Sequence, residues 1–385
     1  KTLTGQTIPS GSSTYTFDVF VNGDTTAESN ETFYVNVTNV INAVIVDGQG
    51  IGTILNDDIN LIHDIQGAGA TSPMVGQIVT IQGIVVGNYQ GASPQLGGFN
   101  VEEEDADADA NPLTSEGVFV YSNTAVARGD LVQVTGTVME LATTSGGLTS
   151  NLTEIGSVTN VQVISSSNTL PTIVNITLPV TNLSDLERYE GMLVTFPQDL
   201  TVTEVYSLGR YGQVDLAVNG RLATPTNVVA PGALAIALED QNTRSRIILD
   251  DAQTAQNPDP EIYPAPGLSF ANTLRIGDTT QNLTGVWDDR YGAYRVQPVG
   301  AVNFVHNNPR PVAPPSVGGN LKVAGFNMLN YFTTLGAGNN CGPSSNLGCR
   351  GATNSTEFKR QRDKLINAIT TIDPDIAGLM ETENG

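Results

Sequence analysis

The chain of 385 residues is poor in cysteine, histidine, tryptophan and basic side chains, and each shortage excludes something. Two histidines, His63 and His306, leave the C-terminal region without an imidazole. Two cysteines, Cys341 and Cys349, lack the nearby partners that a zinc site needs. Seventeen Lys and Arg against 39 Asp and Glu give a net charge of −22, which argues against a general polyanion-binding surface. Salt screens that repulsion beyond about 10 Å, so a local contact with phosphate stays open. No apolar run is long enough to span a bilayer as a helix. No secretory leader opens the chain, whose first residues already read as the interior of a domain.

What is present is β-rich: 40 Gly, 20 Pro and many Thr and Val in short alternating stretches. This length predicts two to four domains. Residues 1–58 alternate over Thr14–Val21, Glu31–Val37 and Gly50–Leu55. Residues 59–165 read as a small barrel. In Val79–Val85 and Val132–Val138 a glycine interrupts an alternating strand, as at a bulge or barrel corner, and Gly98–Val101 with Gly117–Tyr121 supplies a hairpin between them. Residues 166–310 continue with strands at Gly191–Phe196, Gln213–Val218 and Leu283–Trp287. There the triplet Arg210-Tyr211-Gly212 recurs as Arg290-Tyr291-Gly292, which predicts related hairpins in a second barrel-like module. Residues 311–319, within the Pro-rich run Pro309–Gly319, form a semi-rigid linker.

Residues 320–385 change character. Leu321–Phe326 and Asp375–Met380 read as strands, the second entered through Pro374. Between them Asn354 or Ser355 caps a helix whose apolar positions Phe358, Leu365, Ile366, Ile369 and Ile372 share one face. Strand, helix and strand in this span predict a right-handed crossover between parallel strands, with Asn327 and Glu381 at neighbouring carboxyl ends. One carboxylate and one amide suit Mg²⁺ or Mn²⁺, which keeps most of its water. Six basic and six acidic residues balance from 321 onward, so the net negative charge belongs to the first 320 residues.

The stretches Phe326-Asn327-Met328-Leu329-Asn330-Tyr331-Phe332, Cys349-Arg350-Gly351-Ala352, Glu357-Phe358-Lys359-Arg360-Gln361-Arg362 and Gly378-Leu379-Met380-Glu381-Thr382-Glu383-Asn384 resemble the opening of the endonuclease/exonuclease/phosphatase (DNase I-like) domain. More narrowly, they resemble secreted nucleases of the ExeM/NucH type. That resemblance implies an α/β sandwich, gives Asn327 and Glu381 the catalytic metal, Mg²⁺ or Mn²⁺, and makes DNA, or RNA, the substrate. The family's catalytic His and further acids lie well downstream of its first Glu, so the chain is expected to be a truncated and inactive piece of such an enzyme.

Two further resemblances follow. Asn22-Gly23-Asp24-Thr25-Thr26-Ala27-Glu28-Ser29-Asn30-Glu31-Thr32-Phe33, with Asp47-Gly48-Gln49-Gly50 and Asn56-Asp57-Asp58, is similar to the second half of a Calx-beta domain. This implies Ca²⁺ ligands at Glu28, Glu31, Asp57 and Asp58. The 59–165 barrel resembles the OB-fold module that precedes the catalytic domain in these nucleases. It offers Tyr89, Phe99, Phe119 and Tyr121 with almost no basic residues, so a structural or positioning role is expected rather than strand binding.

Asp105, Asp107 and Asp109 alternate and Glu116 holds the twelfth place of an EF-hand-like count, but Ala110 stands where the turn needs glycine. Both a Ca²⁺ loop and a solvated acidic hairpin fit. The short Cys341–Cys349 loop is most simply a disulfide in an extracellular protein. The sequence thus predicts a mainly β, modular, secreted or cell-surface bacterial protein. A Ca²⁺-stiffened β array with an adhesive or spacer role, or a phosphodiesterase acting on other substrates, is the alternative.

Overall fold

The computed structural model describes residues 2–21, 31–54, 58–145 and 148–383. The fold is mainly β, with 32% strand and 14% helix. It divides into two compact units, 1–308 and 309–385.

Unit 1 begins with a two-stranded antiparallel hairpin, β1 (Glu31–Asn36) and β2 (Gln49–Ile54). The alternating stretch Thr14–Val21 is not a strand: its described backbone has no regular structure, and Phe20 is 83% exposed. Alternation specifies a face only where a partner strand and a core exist to bury it, and neither accompanies this stretch among the described residues.

A closed five-stranded barrel follows, built from β3 (Ile78–Tyr89), β4 (Gly98–Glu102), β5 (Gly117–Val120), β6 (Leu131–Ser145) and β7 (Leu148–Ser165), in the order β3-β4-β5-β7-β6. All neighbours are antiparallel except β5 and β7. The short helix α1 (Ile62–Gln66) plugs one end with Ile62 and Ile65, which join Val79, Ile81, Phe99, Val118 and Val134 in the barrel core. The register of β6 on β7 shifts at Gly136, where a Cβ would lie 2.6 Å from Ile155 Cγ2, so glycine is what lets the long hairpin bend into the barrel.

Residues 166–308 do not close a second barrel. They form an eight-stranded sheet from β8 (Val174–Asn175), β9 (Leu193–Phe196), β10 (Leu200–Glu204), β11 (Val214–Ala217), β12 (Arg246–Leu249), β13 (Thr279–Thr280), β14 (Leu283–Asp288) and β15 (Arg295–Pro298). Its order is β13-β10-β11-β12-β15-β14-β9-β8, and its end strands β13 and β8 are very short. Two of its connections are helical, α2 (Leu208–Tyr211) and α3 (Ala233–Arg244). The core sets Phe196, Leu200, Val214, Leu249, Trp287 and Val296 together, with the Trp287 ring 5.9 Å from Phe196 and 5.5 Å from Tyr294. The Arg-Tyr-Gly triplets are not related hairpins: the first ends α2 with Gly212 in the left-handed region (φ 68°), and the second is a 3-10 turn.

Barrel and sheet share a smaller core, in which Val86, Tyr89, Phe119 and Leu152 meet Leu193 and Val286. At this seam the backbones of Gly117 and Gly191 touch: a Cβ on Gly191 would lie 2.6 Å from the carbonyl carbon of Gly117. Glu102 accepts from the Leu193 N–H (2.8 Å), and the Tyr89 hydroxyl donates to the Gln297 carbonyl (2.9 Å).

Unit 2 contains β16 (Val323–Tyr331), α4 (Ser355–Ile372) and β17 (Ile376–Thr382). The two strands are parallel, with Phe326 opposite Leu379 and Asn327 opposite Met380. Asn354 is the helix cap, its Oδ1 accepting from the N–H groups of Thr356 and Glu357 (3.0 Å each). Phe358, Leu365, Ile369 and Ile372 are half-buried on one face of α4, as their spacing predicts, while Ile366 is exposed.

Candidate functional site

In unit 2, Asn327 and Glu381 stand side by side on adjacent parallel strands. The Asn327 side-chain amide donates to Glu381 Oε1 (2.8 Å), and the backbone N–H of Asn330 donates to Glu381 Oε2 (3.1 Å). Asn327 Oδ1 in turn accepts from the Leu329 N–H (2.7 Å). Asn327 does not close its strand as the sequence predicts. It sits where the register shifts, and β16 continues past the bulge to Tyr331. Met328, Leu329 and Tyr331 keep the apolar character going past Asn327, but a bulge between them leaves no mark in the pattern.

The bulge makes the pairing of Asn327 and Glu381 local. Leu329 (φ 55°), Asn330 (φ 52°) and Glu381 (φ 57°) all occupy the left-handed region. Asparagine tolerates it, whereas Leu and Glu are held there at a cost of about 1 kcal/mol each. Gln361 of α4 secures the bulge by donating to the carbonyls of Met328 (3.1 Å) and Leu329 (2.7 Å), and Phe358 stacks on Tyr331 with ring centres 5.0 Å apart. The helix therefore fixes the segment that orients the carboxylate. One carboxylate and one amide, with no sulfur or imidazole beside them, are of the donor type that hard cations such as Mg²⁺ or Mn²⁺ take, and the amide, which here turns its N–H to Glu381 and its Oδ1 to Leu329, would rotate to offer its oxygen.

Glu383, two residues beyond Glu381, forms a clip that sequence reading missed. Its carboxylate accepts from the backbone N–H groups of Thr333 (2.8 Å) and Thr334 (3.0 Å) and from both threonine hydroxyls. The threonine hydroxyls, then the backbone donors, hold its pKa down to about 2. The available signal was the Glu-x-Glu spacing, which puts both acids on one side of a strand. A shallow groove lined by Met328, Tyr331, Thr333, Leu379, Thr382 and Glu383 runs beside the pair. Cys341 and Cys349 are joined in a disulfide with Cα atoms 5.1 Å apart.

The other sequence-predicted residues are spread over unit 1. Glu31 is exposed on β1, and Asp58 is half-buried before the barrel; Glu28 and Asp57 lie outside the described residues. Asp105, Asp107 and Asp109 are exposed, and their oxygens are not gathered with Glu116 around one point. Asp105 accepts from the Thr172 N–H (2.8 Å) and hydroxyl (2.7 Å), which lower its pKa. Asp109 accepts from the Asn111 N–H (2.7 Å) and the Thr114 hydroxyl. Glu116 instead turns inward to His63 Nδ1 (3.2 Å).

That inward turn belongs to a network at the barrel end. Glu103 bonds His63 Nδ1 (2.8 Å) and also takes the N–H groups of Ile62 and His63 at the start of α1. Burial opposes the charge on His63, but the Glu103 hydrogen bond and the carboxylates of Glu103, Glu116 and Asp109 outweigh it and raise its pKa. Burial, then the neighbouring Glu103, pushes Glu116 up to about 8. His306 lies elsewhere, partly exposed, with Nδ1 3.1 Å from Asp278. Of the four barrel aromatics, Tyr89, Phe99 and Phe119 are buried and Tyr121 is exposed. Arg290 covers Phe119, its guanidinium 4.2 Å from the ring centre, so that arginine shields its own fold.

A second acidic group, Glu187, Glu190 and Asp289, gathers at the barrel–sheet seam with ligand oxygens all within 4.8 Å of one another. Glu187 and Glu190 are neighbours in the chain, but Asp289 lies about a hundred positions further on, which is why no local pattern pointed to the group. Among the described residues no helix is long and apolar enough to cross a membrane.

No family model and no curated protein matches the chain. A solved structure, the mitochondrial single-stranded DNA binding protein Rim1 from S. cerevisiae, aligns with 24% of this chain and 99% of that one, at 11% identity and a TM-score of 0.18. A likeness that distant informs neither the fold nor the function of this chain.

Proposed function

We propose that these residues are part of a secreted, metal-dependent phosphodiesterase of the endonuclease/exonuclease/phosphatase type, acting on DNA, in which Asn327 and Glu381 hold Mg²⁺ or Mn²⁺. The observation that carries the reading is the 2.8 Å pairing of an amide and a carboxylate on adjacent parallel strands, braced by three residues in the left-handed region. Backbone strain concentrated around two polar side chains marks a position kept for chemistry rather than stability. The sequence motifs supply the family.

Bound at this pair, the metal supplies Lewis-acid stabilisation to charge developing on a scissile phosphate. The chain's own part is orientation. Asn330 N–H fixes one oxygen of Glu381, Gln361 locks the bulge, and Glu383 holds the Thr333–Thr334 loop beside the groove. The charge balance of 321–385 admits a polyanion that the acidic first 320 residues repel. We read the five-stranded barrel as OB-like, with a positioning role, because three of its four aromatics are in the core and unable to stack on bases.

A Ca²⁺-stiffened β array is the second reading, favoured by the acidic clusters of unit 1. The test takes the gene product that carries these residues, with supercoiled plasmid, RNA, phospholipid and sugar phosphates as substrates in Mg²⁺ or Mn²⁺. Cleavage of plasmid that falls by roughly a hundredfold or more in Glu381→Ala, without a change in Tm, is expected. Undiminished cleavage by Glu381→Ala, or turnover of the other substrates alone, overturns the assignment.

A further inference from the structure

We propose that Glu187, Glu190 and Asp289 form a Ca²⁺ site that clamps the barrel to the eight-stranded sheet. This is independent of the Asn327–Glu381 pair and of the Ca²⁺ ligands predicted from sequence.

The three carboxylates come from two places. Glu187 lies in the 3-10 turn Leu183–Tyr189, Glu190 ends that turn, and Asp289 follows β14. Their ligand oxygens lie within 4.8 Å of one another. Oxygens bound to one Ca²⁺ at 2.3–2.6 Å are separated by at most about 5 Å, so the spacing suits a shared cation. Glu190 is 2% exposed and Asp289 8%. Among the described residues none of the three makes an ion pair. Of the neighbouring arginines, Arg295 pairs with Asp250 at 2.6 Å, Arg290 lies beside Asp288 (3.4 Å) and over the Phe119 ring, and Arg188 donates to the Pro112 carbonyl, while Nε of Arg188 and of Arg290 is buried without a hydrogen-bond partner.

The second observation is a set of orphaned oxygens. Glu190 Oε1 accepts from the Thr153 N–H (2.9 Å), and Glu187 Oε2 accepts from the Tyr294 hydroxyl (2.8 Å). Glu190 Oε2 and Asp289 Oδ1 are sealed from solvent with no hydrogen-bond partner. So is Glu140 Oε2, on the barrel residue whose other oxygen shares Thr153 with Glu190. A buried acceptor without a donor is destabilising, and more so when charged. Sharing protons would relieve this only if the acids bonded one another, as Glu103 and Glu116 do. Here they are close but unbonded. A hard cation satisfies the orphan oxygens and the like charges together.

A set with neither Cys nor His is unlike the structural sites of Zn²⁺, and three protein carboxylates exceed the one or two that Mg²⁺ ordinarily takes. The location gives the consequence. Glu190 is tied to the barrel through Thr153 and Gln66, its backbone carbonyl accepts from Ser115, and the next residue, Gly191, touches Gly117. A cation at this point joins the two parts of unit 1 where their backbones meet.

The experiment uses the full chain, stripped with chelator. Tb³⁺ luminescence excited through Trp287 reads the site, because this is the chain's one tryptophan and its ring stacks on Tyr294, whose hydroxyl bonds Glu187. Expected are sensitised emission, its displacement by Ca²⁺ but not by equimolar Mg²⁺, and a rise in Tm with Ca²⁺. Asp289→Asn should weaken Ca²⁺ by about tenfold or more, while Glu381→Ala leaves it unchanged. Glu187→Gln, on the half-buried member, serves the same purpose if Asp289→Asn does not fold. Absence of emission and of a Ca²⁺-dependent Tm, or affinity unchanged in both Asp289→Asn and Glu187→Gln, overturns the proposal.

Discussion

At the scale of single residues the molecule is governed by carboxylates placed against their ordinary preference for water. Burial pushes Asp251 and Asp289 up to about 7, and Glu102 and Glu116 up to about 8. The folded chain therefore holds protons that the unfolded chain releases above about pH 4–5. For a raised acid the sign is unambiguous: stability is greatest while both states are protonated and is lost as pH rises through the folded pKa. Urea midpoints of the chelator-treated protein should fall between pH 5.5 and 8.5, and Ca²⁺ should flatten the decline by favouring ionised Glu187, Glu190 and Asp289. A midpoint that is constant or rises over this range contradicts the assignment. Some of this was legible beforehand. Glu116 stands out in the sequence as the twelfth place of an EF-hand-like count, and Glu381 is a candidate from motif and strand pattern together. That Glu116 faces His63, and not a Ca²⁺ loop, depends on a contact between residues 53 positions apart.

At the scale of elements, local patterns carried furthest where they were self-sufficient. The helix α4 was readable because cap, apolar face and Pro374 all lie within one short segment. Barrel strands β3 and β6 were readable because alternation and an interrupting glycine repeat in both. Thr14–Val21 shows the limit, since alternation without a partner leaves coil, and the Arg-Tyr-Gly triplets show that a repeated tripeptide does not imply a repeated element. The Gly117–Gly191 contact was not legible at all, because nothing in either neighbourhood distinguishes a glycine that turns the chain from one that admits another backbone. It makes a clear demand on the structure. Gly191→Ala places a methyl group against backbone that has no room to give, at a φ of 77°, and should cost about 3 kcal/mol in urea unfolding. Gly209→Ala, in α2 with open space around it, should be close to neutral or slightly stabilising in the same measurement.

At the scale of the whole molecule, two compact units differ in charge and in degree of burial. Unit 1 holds both large cores and the net negative charge. In unit 2, α4 has no fully buried residue, β17 is exposed along its length, and Met328 is the buried hydrophobic residue of β16. Unit 2 is a parallel pair of strands with one helix. Function on this account is concentrated in the strained pair at the β16 bulge, with the acidic β unit as its carrier. The most direct test is residue-resolved NMR of the 385-residue chain during titration with Mn²⁺. Selective paramagnetic broadening of the Asn327 side-chain amide and the Asn330 and Glu381 backbone signals, abolished in Glu381→Ala, is the expected result. Signals of Asn327, Asn330 and Glu381 that stay sharp at saturating Mn²⁺, or broaden equally in Glu381→Ala, would contradict the account.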